Sequence, residues 1–339
     1  MEIKKINVRD AVGTVLAHDI TRIIPGKCKG PAFTKGHIVE RKDIKKLLEI
    51  GKEHLWSIKL SKNEYHENTA AVKFKSFAGE NIVCGGPSEG KLTFSAACDG
   101  LLTVQRRTVD DINRIKNIVF TTRHSQIPVK KGDVLAGIRI IPLAINAASV
   151  RKAVSIRKKT KALRVHPFLK KKIGIIVTGS EVAKGRIKDK FRPIIEKKLK
   201  NYGGKLVSSA IITDSRRLIK NKILTMSKSC DIIIITGGMS VDPDDVTRYA
   251  IQDAGAKIVS YGAPVLPGNM FLVSYLGDTP ILGIPACGLF YKTTVFDLFL
   301  PIAMAGLKLT KSDILLRGYG GLCAGCEVCR YPVCPFGKC

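Results

Sequence analysis

Three apolar runs, each ending in a loop and separated by helix-patterned segments, constrain this chain more than any other feature. Ile173-Gly174-Ile175-Ile176-Val177 leads into Thr178-Gly179-Ser180-Glu181, and Ile232-Ile233-Ile234-Ile235 leads into Thr236-Gly237-Gly238. Ile281-Leu282-Gly283-Ile284-Pro285 is the third such run, and residues 206–212 read as a further strand. A strand that is apolar at every position must be covered on both faces, which is the situation of a parallel sheet between helices. Segments 192–202, 218–226 and 246–254, and a segment through 295–300, read as those helices. Gly203-Gly204 and Gly255 stop the first and third. The pattern predicts an α/β fold: a three-layer α/β/α domain over 171–310 with a mostly parallel sheet. Ligands of such sheets bind beyond the carboxyl ends of the strands, where these loops lie.

The flanking regions read differently. Residues 1–80 form an N-terminal α+β region, with a helix over 43–48 stopped near Gly51, a strand-like run at Trp56 and a polar helical stretch over 62–79. Residues 81–146 carry short strands punctuated by Gly85-Gly86-Pro87, Asp99-Gly100 and Lys131-Gly132-Asp133, with one helix over 109–118. This predicts a small β-rich domain. Residues 147–170 read as a linker, helical and basic over 150–164 and ended by His166-Pro167. Residues 311–339 form a cysteine-rich tail.

The chain carries 57 Lys plus Arg against 28 acidic residues, a formal net charge of +29 over 339 residues. Such a charge attracts polyanions or phosphorylated ligands. The lysines are spread through nearly every segment, without a compact basic tail or an aromatic-interleaved patch, so the excess reads as solvated faces rather than a nucleic-acid surface. No apolar stretch is long enough to span a membrane, and the N-terminus lacks an apolar signal core. The expected location is the cytoplasm.

The strand-end loops offer specific chemistry. Gly179 lets the backbone turn close to a ligand, and the Thr178 and Ser180 hydroxyls add donors; the plain alternative is a strand-to-loop turn. Thr236-Gly237-Gly238-Met239-Ser240 repeats the arrangement, and two such loops at neighbouring strand ends suit a phosphate-bearing ligand. Asp242, Asp244 and Asp245 follow at once. Carboxylates beside an anion-holding loop need a cation between them and the ligand, and Mg²⁺ takes carboxylates together with substrate phosphates. Asp244 and Asp245 also complement the dipole of the helix that follows. Asp214, after the strand at 206–212, can cap the next helix. Ala263 to Met270, with Pro267-Gly268, and Gly283-Ile284-Pro285-Ala286-Cys287-Gly288 are the remaining loops.

This order of strand and Thr-Gly-Ser-Glu, strand and Asp, strand and Thr-Gly-Gly-x-Ser, then Pro-Gly-x-Met and Gly-Ile-Pro-x-x-Gly resembles the gephyrin-type molybdopterin-binding domain of molybdenum-cofactor biosynthesis over about 171–309. The resemblance implies that Thr178, Gly179, Ser180 and Glu181 line a pterin-phosphate pocket. Thr236, Gly237, Gly238 and Ser240 would hold phosphate, with Pro267 and Gly268 matching the Pro-Gly turn. It implies catalytic or Mg²⁺-binding roles for Asp214 and Asp245, with Asp242 as a second metal ligand. Two departures stand out. Cys287 occupies the place near an expected asparagine in the late loop, and the N-terminal half is shorter than that of a full molybdate-inserting enzyme. The implied function is binding of molybdopterin or adenylyl-molybdopterin and insertion of molybdate with release of AMP. The alternative is a non-catalytic carrier, sensor or maturation factor. Molybdoenzymes or other cofactor-biosynthesis proteins are the implied partners, and the family is commonly oligomeric.

The tail reads Cys323-x₂-Cys326-x₂-Cys329-x₄-Cys334-Pro335, one residue from a bacterial ferredoxin spacing. Four thiolates could hold Zn²⁺ or a 4Fe-4S cluster. The tail has little core of its own, so a metal is expected to order it.

Overall fold

A computed structural model describes residues 2–14, 16–24, 28–35, 37–88, 90–156, 161–240, 242 and 245–338. Asp244 and Cys339, and the part of the expected basic helix at 157–160, lie outside the described residues. The chain divides into two compact units. One comprises 1–95, 105–123 and 134–163, the other 96–104, 124–133 and 164–339.

The second unit is built on a six-stranded sheet. Its strands are β1 (Lys172–Thr178), β2 (Lys205–Ile212), β3 (Ile232–Thr236), β4 (Lys257–Tyr261), β5 (Leu272–Leu276) and β6 (Thr279–Ile284), in the order β2-β1-β3-β6-β5-β4. The pairs β1–β2, β1–β3 and β3–β6 are parallel, and β5 is antiparallel to both β6 and β4. The sheet is mostly parallel, as its apolar runs require. The strands β4 and β5 extend it by hairpin-like pairing beyond the pattern visible in the sequence.

Side chains leave the strands alternately to two faces. Ile173, Ile175 and Val177 of β1 and Ile232 and Ile234 of β3 meet α1 (Phe191–Lys200) through Ile195 and Leu199. Ile176, Ile233 and Ile235 face the opposite side, against α2 (Arg216–Met226) and α3 (Thr247–Asp253). Gly174 belongs to this arrangement: a Cβ there would lie 2.9 Å from Met226 Sδ and 3.0 Å from Cys230 Sγ, so α2 can pack close only against a glycine. Helix α4 (Val295–Met304) is buried along all ten of its residues, as expected of a helix apolar all round. Thr294 and Asp297 close its first turn as a capping box. A small sheet in the order Ile127–Val129, Gly100–Val104, Leu163–Pro167 packs against α4. Leu163–Pro167 is a strand, so the helix expected over 150–164 does not reach 164; its described part spans Ala147–Ile156. In the strand, buried Leu163 and Val165 alternate with more exposed neighbours, a period-two signal hidden by the surrounding basic residues.

The first unit contains an antiparallel sheet in the order Ile82–Cys84, Lys91–Ala96, Val134–Ile140, Ile118–Thr122. Phe94 and Phe120 form its core with Phe77, which stacks on Phe74. The stretch expected to be a polar helix is a strand, Glu64–His66, then a buried helix, Glu67–Lys73, and a 3₁₀ turn, Phe74–Phe77. Ala70, Ala71, Phe74 and Phe77 are fully buried, so its apolar face outweighs its polar average. A second small core, built from Val8, Leu16, Val39, Leu47 and Leu55 among others, gathers the N-terminal strands around the helix Asp43–Glu49.

Candidate functional site

The carboxyl ends of β1 and β3 are locked to each other before they present anything to a ligand. Thr178 Oγ1 donates to the Thr236 carbonyl at 3.1 Å and lies 3.3 Å from Thr247 Oγ1 at the start of α3. All three threonines are buried. Gly237 and Gly238 have φ of 86° and 58°, and a Cβ would lie 2.3 Å from the Thr178 carbonyl oxygen at the first and 2.4 Å from Thr247 Oγ1 at the second. Side chains are excluded at both positions by conformation and by space. On the other side of β1, Asp214 Oδ2 accepts from Ser180 N–H at 2.8 Å and from Ser180 Oγ at 2.9 Å. This latch ties the Thr178–Glu181 loop to the loop after β2.

Beyond these ends lies a cavity of about 690 Å³. Gly237, Gly238, Ser240, Asp242, Asp245, Pro267 and Gly268 line it, seven of the residues singled out from the sequence. Thr178, Gly179, Ser180, Glu181, Asp214 and Thr236, expected to line it or to act in it, lie outside that lining; Thr178 is bonded to Thr236 and Ser180 to Asp214 as a framework. Asp245 Oδ2 accepts from Ser240 N–H at 2.6 Å, so the acidic turn folds back on the glycine loop. Tyr261 of β4 supports the same loop, its hydroxyl 3.1 Å from the Met239 carbonyl and 3.0 Å from that of Ser240. Burial pushes the Tyr261 phenol above its ordinary range, so it stays a hydroxyl at neutral pH. Arg248 lies 4.9 Å from the Tyr261 ring centre. The Pro267-Gly268 turn is pressed against α4: the Pro267 carbonyl accepts from Val295 N–H at 3.1 Å, and a Cβ on Gly268 would lie 2.4 Å from Val295 Cγ1.

The late loop contributes Pro285, Ala286 and Cys287, and burial raises the Cys287 thiol above its ordinary value. The lining also includes Leu322, Cys323 and Gly325 from the tail. Leu266 N–H donates to the Gly321 carbonyl at 2.9 Å, and Cys323 N–H to the Leu266 carbonyl at 2.8 Å, so the tail runs alongside the Pro267 loop. Sequence reasoning missed this wall because the two segments are far apart in the chain and neither carries a pairing signal.

The tail itself departs from the expectation that a metal must order it. Phe336 is buried in the core around α4, Tyr331 and Cys334 pack on that core, and the Tyr331 hydroxyl donates to the Asp297 carbonyl at 2.7 Å. Arg317, also buried, reaches Gln126 and the Gly337 carbonyl. A Cβ on Gly337 would lie 2.3 Å from Leu298. Apolar contacts hold the later part of the tail, and backbone hydrogen bonds to Leu266 hold its start.

Metal fit differs between the two places. Among the described residues no group of three or more His, Cys, Asp or Glu side chains is placed to hold a metal. Asp242 and Asp245 nonetheless line one cavity, and Mg²⁺ ordinarily takes one or two carboxylates and completes its shell from substrate phosphate and water. Hard oxygen donors beside a glycine loop fit that ion. Cys323, Cys326, Cys329 and Cys334 all border a second cavity of about 280 Å³, but as placed they do not form a closed cage.

Residues 174–305 match the family described as a probable molybdopterin binding domain, and residues 5–59 match a domain of unknown function. The chain is 23% identical over 299 residues to a protein provisionally named for molybdopterin biosynthesis in Methanocaldococcus jannaschii, covering 83% of this chain and 69% of that protein. It is 20% identical over 317 residues to the molybdopterin molybdenumtransferase of Haemophilus influenzae, covering 88% and 71%. A CinA-like protein of Thermotoga maritima is 34% identical over 90 residues, 26% of this chain and only 21% of that protein. Among solved structures, the molybdopterin biosynthesis enzyme MoaB of Thermus thermophilus aligns with 40% of this chain and 94% of its own, with 18% identity and a TM-score of 0.34. No helix among the described residues is long and apolar enough to cross a membrane. The segment that supplies the glycine loop, the acidic turn and the Pro-Gly turn is thus the part of the chain that matches a probable molybdopterin binding domain.

Proposed function

We propose that the larger cavity holds adenylyl-molybdopterin and that the chain inserts molybdate into it with release of AMP. The observation that carries this reading is the meeting, in one cavity, of the Gly237-Gly238 turn, the carboxylates of Asp242 and Asp245, and the Pro267-Gly268 turn. The glycine turn lets backbone approach a phosphate without a side chain between them. Asp242 and Asp245 would hold Mg²⁺, which when bound neutralises phosphate charge. Ser240 N–H fixes one oxygen of Asp245 and so orients the carboxylate. Asp214 acts at one remove, as a positioning residue, through its two hydrogen bonds to Ser180.

The experiment is direct. The protein is incubated with adenylylated molybdopterin, molybdate and Mg²⁺, and AMP is measured. Release of AMP that depends on both molybdate and Mg²⁺ is expected. Tight binding of the pterin without AMP would replace the enzyme by a carrier or sensor, a reading favoured by Cys287 and Cys323, two thiols in the lining of the cavity. Absence of pterin binding would remove both.

A further inference from the structure

The peptide unit that joins Met239 to Ser240 is gripped at both edges. Its N–H donates to Asp245 Oδ2 at 2.6 Å. Its carbonyl, that of Met239, lies 3.1 Å from the Tyr261 hydroxyl. A trans peptide is planar and sets these two groups on opposite sides, so one contact cannot turn without turning the other. The Tyr261 hydroxyl also lies 3.0 Å from the Ser240 carbonyl. It has one proton to donate, and the two carbonyls share it.

The groups on either side of this peptide are themselves held. Met239 is buried, and its side chain packs on Gly283 of β6, where an added Cβ would lie 2.4 Å from Met239 Cε. The loop is anchored as far as Met239, whereas Ser240, which follows, is exposed. Tyr261 is the last residue of β4 and pairs with Leu272 of β5. Its ring ends a column of alternating cations and rings. Arg248 lies 4.9 Å from the Tyr261 ring centre and 5.0 Å from that of Tyr249, and Arg216 lies 5.5 Å from the Tyr249 ring centre. Arg216 in turn pairs with Asp253 through two of its nitrogens. Cation–ring contacts of this kind fix where the Tyr261 ring lies, and with it the hydroxyl.

We propose that Tyr261 is a positioning residue for Asp245: its hydroxyl, acting through the Met239–Ser240 peptide, holds one carboxylate oxygen of Asp245 in place and leaves the other for the larger cavity. The hydrogen bonds run in series, hydroxyl to carbonyl and then N–H to carboxylate, and bonds in such a chain polarise and strengthen one another. Removing the hydroxyl should therefore loosen the peptide and weaken the bond at Asp245. Phenylalanine at 261 keeps the ring and so keeps the Arg248 contact. The consequence for turnover rests on the AMP-releasing reading above; the link from Tyr261 to Asp245 does not.

The test uses the full chain, labelled with nitrogen-15 at its serine amides and free of pterin. The Ser240 resonance is assigned by its loss in Ser240→Ala. Asp245→Ala supplies the reference position of an amide proton without its charged acceptor, upfield of the wild type. In Tyr261→Phe the Ser240 proton should move towards that reference. Fluorotyrosine at 261, a more acidic phenol and a stronger donor, should move it the other way; this nearly isosteric replacement decides the matter should Tyr261→Phe fail to fold. In AMP release by Tyr261→Phe, kcat should fall by about twofold to tenfold, the worth of one neutral hydrogen bond, while KM stays within about twofold.

A Ser240 amide that stays in place in Tyr261→Phe, or that fluorotyrosine moves in the same direction as phenylalanine does, would overturn the link. Movement of the amide with kcat unchanged, in a chain that releases AMP, would overturn the positioning role and leave Tyr261 a support of the loop alone. If the wild type releases no AMP, the molybdate-inserting reading fails by itself, and the amide shifts decide whether Tyr261 places the carboxylate.

Discussion

The glycine loop after β3 and the cysteine tail wall the same cavity by opposite means. The loop is fixed at short range: buried threonine hydroxyls cross-link the strand ends, and two glycines sit where a single added carbon has no room. The tail is fixed at a distance, by Tyr331, Phe336 and Arg317 set into the core, with an exposed stretch between the anchors. A wall of the first kind holds a shape before the ligand arrives; one of the second kind can change shape without unfolding the domain. The difference shows how one cavity can combine a preorganised glycine wall with a looser one.

The largest effect should come from filling the tight wall. Gly237→Val places a branched side chain at φ 86° and against the Thr178 carbonyl oxygen. Strain and overpacking together should cost about 3–5 kcal/mol, read as the shift in urea unfolding of the whole domain. A variant with wild-type stability would show that the strand ends are not locked as described. The tail anchor should come next. Phe336→Ala removes a buried ring from the α4 core and should cost about 3 kcal/mol. The loss should appear first as rapid proteolysis within 319–338, while the six-stranded sheet stays protected. Simultaneous loss of sheet protection would mean that the two walls are one cooperative unit.

These two expectations also mark what could be read from sequence. The central strands and their loops were legible because β1 and β3 are apolar at every position and end in hydroxyl-glycine pairs, signals that are local and strong. Gly237, Gly238, Ser240, Asp242, Asp245, Pro267 and Gly268, which line the cavity, come from those loops and from the Pro267-Gly268 turn. Strands β4 and β5 were not legible: Lys257–Tyr261 is half-buried at the sheet edge, and Leu272–Leu276 pairs antiparallel by virtue of its neighbours rather than its own pattern. Tyr261 was missed for the same reason, since its role depends on which edge β4 occupies. The docking of the tail was hidden because Phe336 and Tyr331 stand among cysteines and prolines, where composition suggests an exposed segment. The thiols carry a metal-ligand spacing, whereas Tyr331 and Phe336 beside them do the anchoring.

A smaller effect tests how far the framework behind the cavity matters. Asp214→Asn leaves an oxygen able to accept both Ser180 hydrogen bonds, which share one carboxylate oxygen, but removes its charge. Stability should fall by about 1–2 kcal/mol, the usual worth of a charged hydrogen bond over a neutral one. AMP release should fall mainly through weaker binding, whereas Asp245→Asn, inside the cavity, should lower the maximal rate by roughly a hundredfold or more if it holds Mg²⁺. Equal behaviour of the two variants, measured as KM and kcat, would erase the distinction between lining and framework.

The smallest effect concerns acid. Burial opposes the charge on Asp313, but hydrogen bonds from Thr310 and Gln126 outweigh it and hold the carboxyl below the usual carboxylate range. A depressed pKa contributes stability that is fully present above the unfolded value, about 4, and is lost as pH falls through the lower folded value. Asp313 holds Gln126, and Gln126 in turn receives Arg317, whose other arm reaches Gly337. Protonation of Asp313 should therefore loosen the tail before the sheet, which rests on apolar contacts that do not titrate. Hydrogen exchange at pH 3 and pH 7 would show faster exchange at 317–338 in acid beyond the intrinsic change in chemistry, with the β1 and β3 amides still protected. In Asp313→Asn the acid-specific increase should vanish, because the group that titrates is gone while an oxygen remains for Gln126. Persistence of the increase in that variant would assign the acid sensitivity of the tail to another group and leave its anchoring purely apolar.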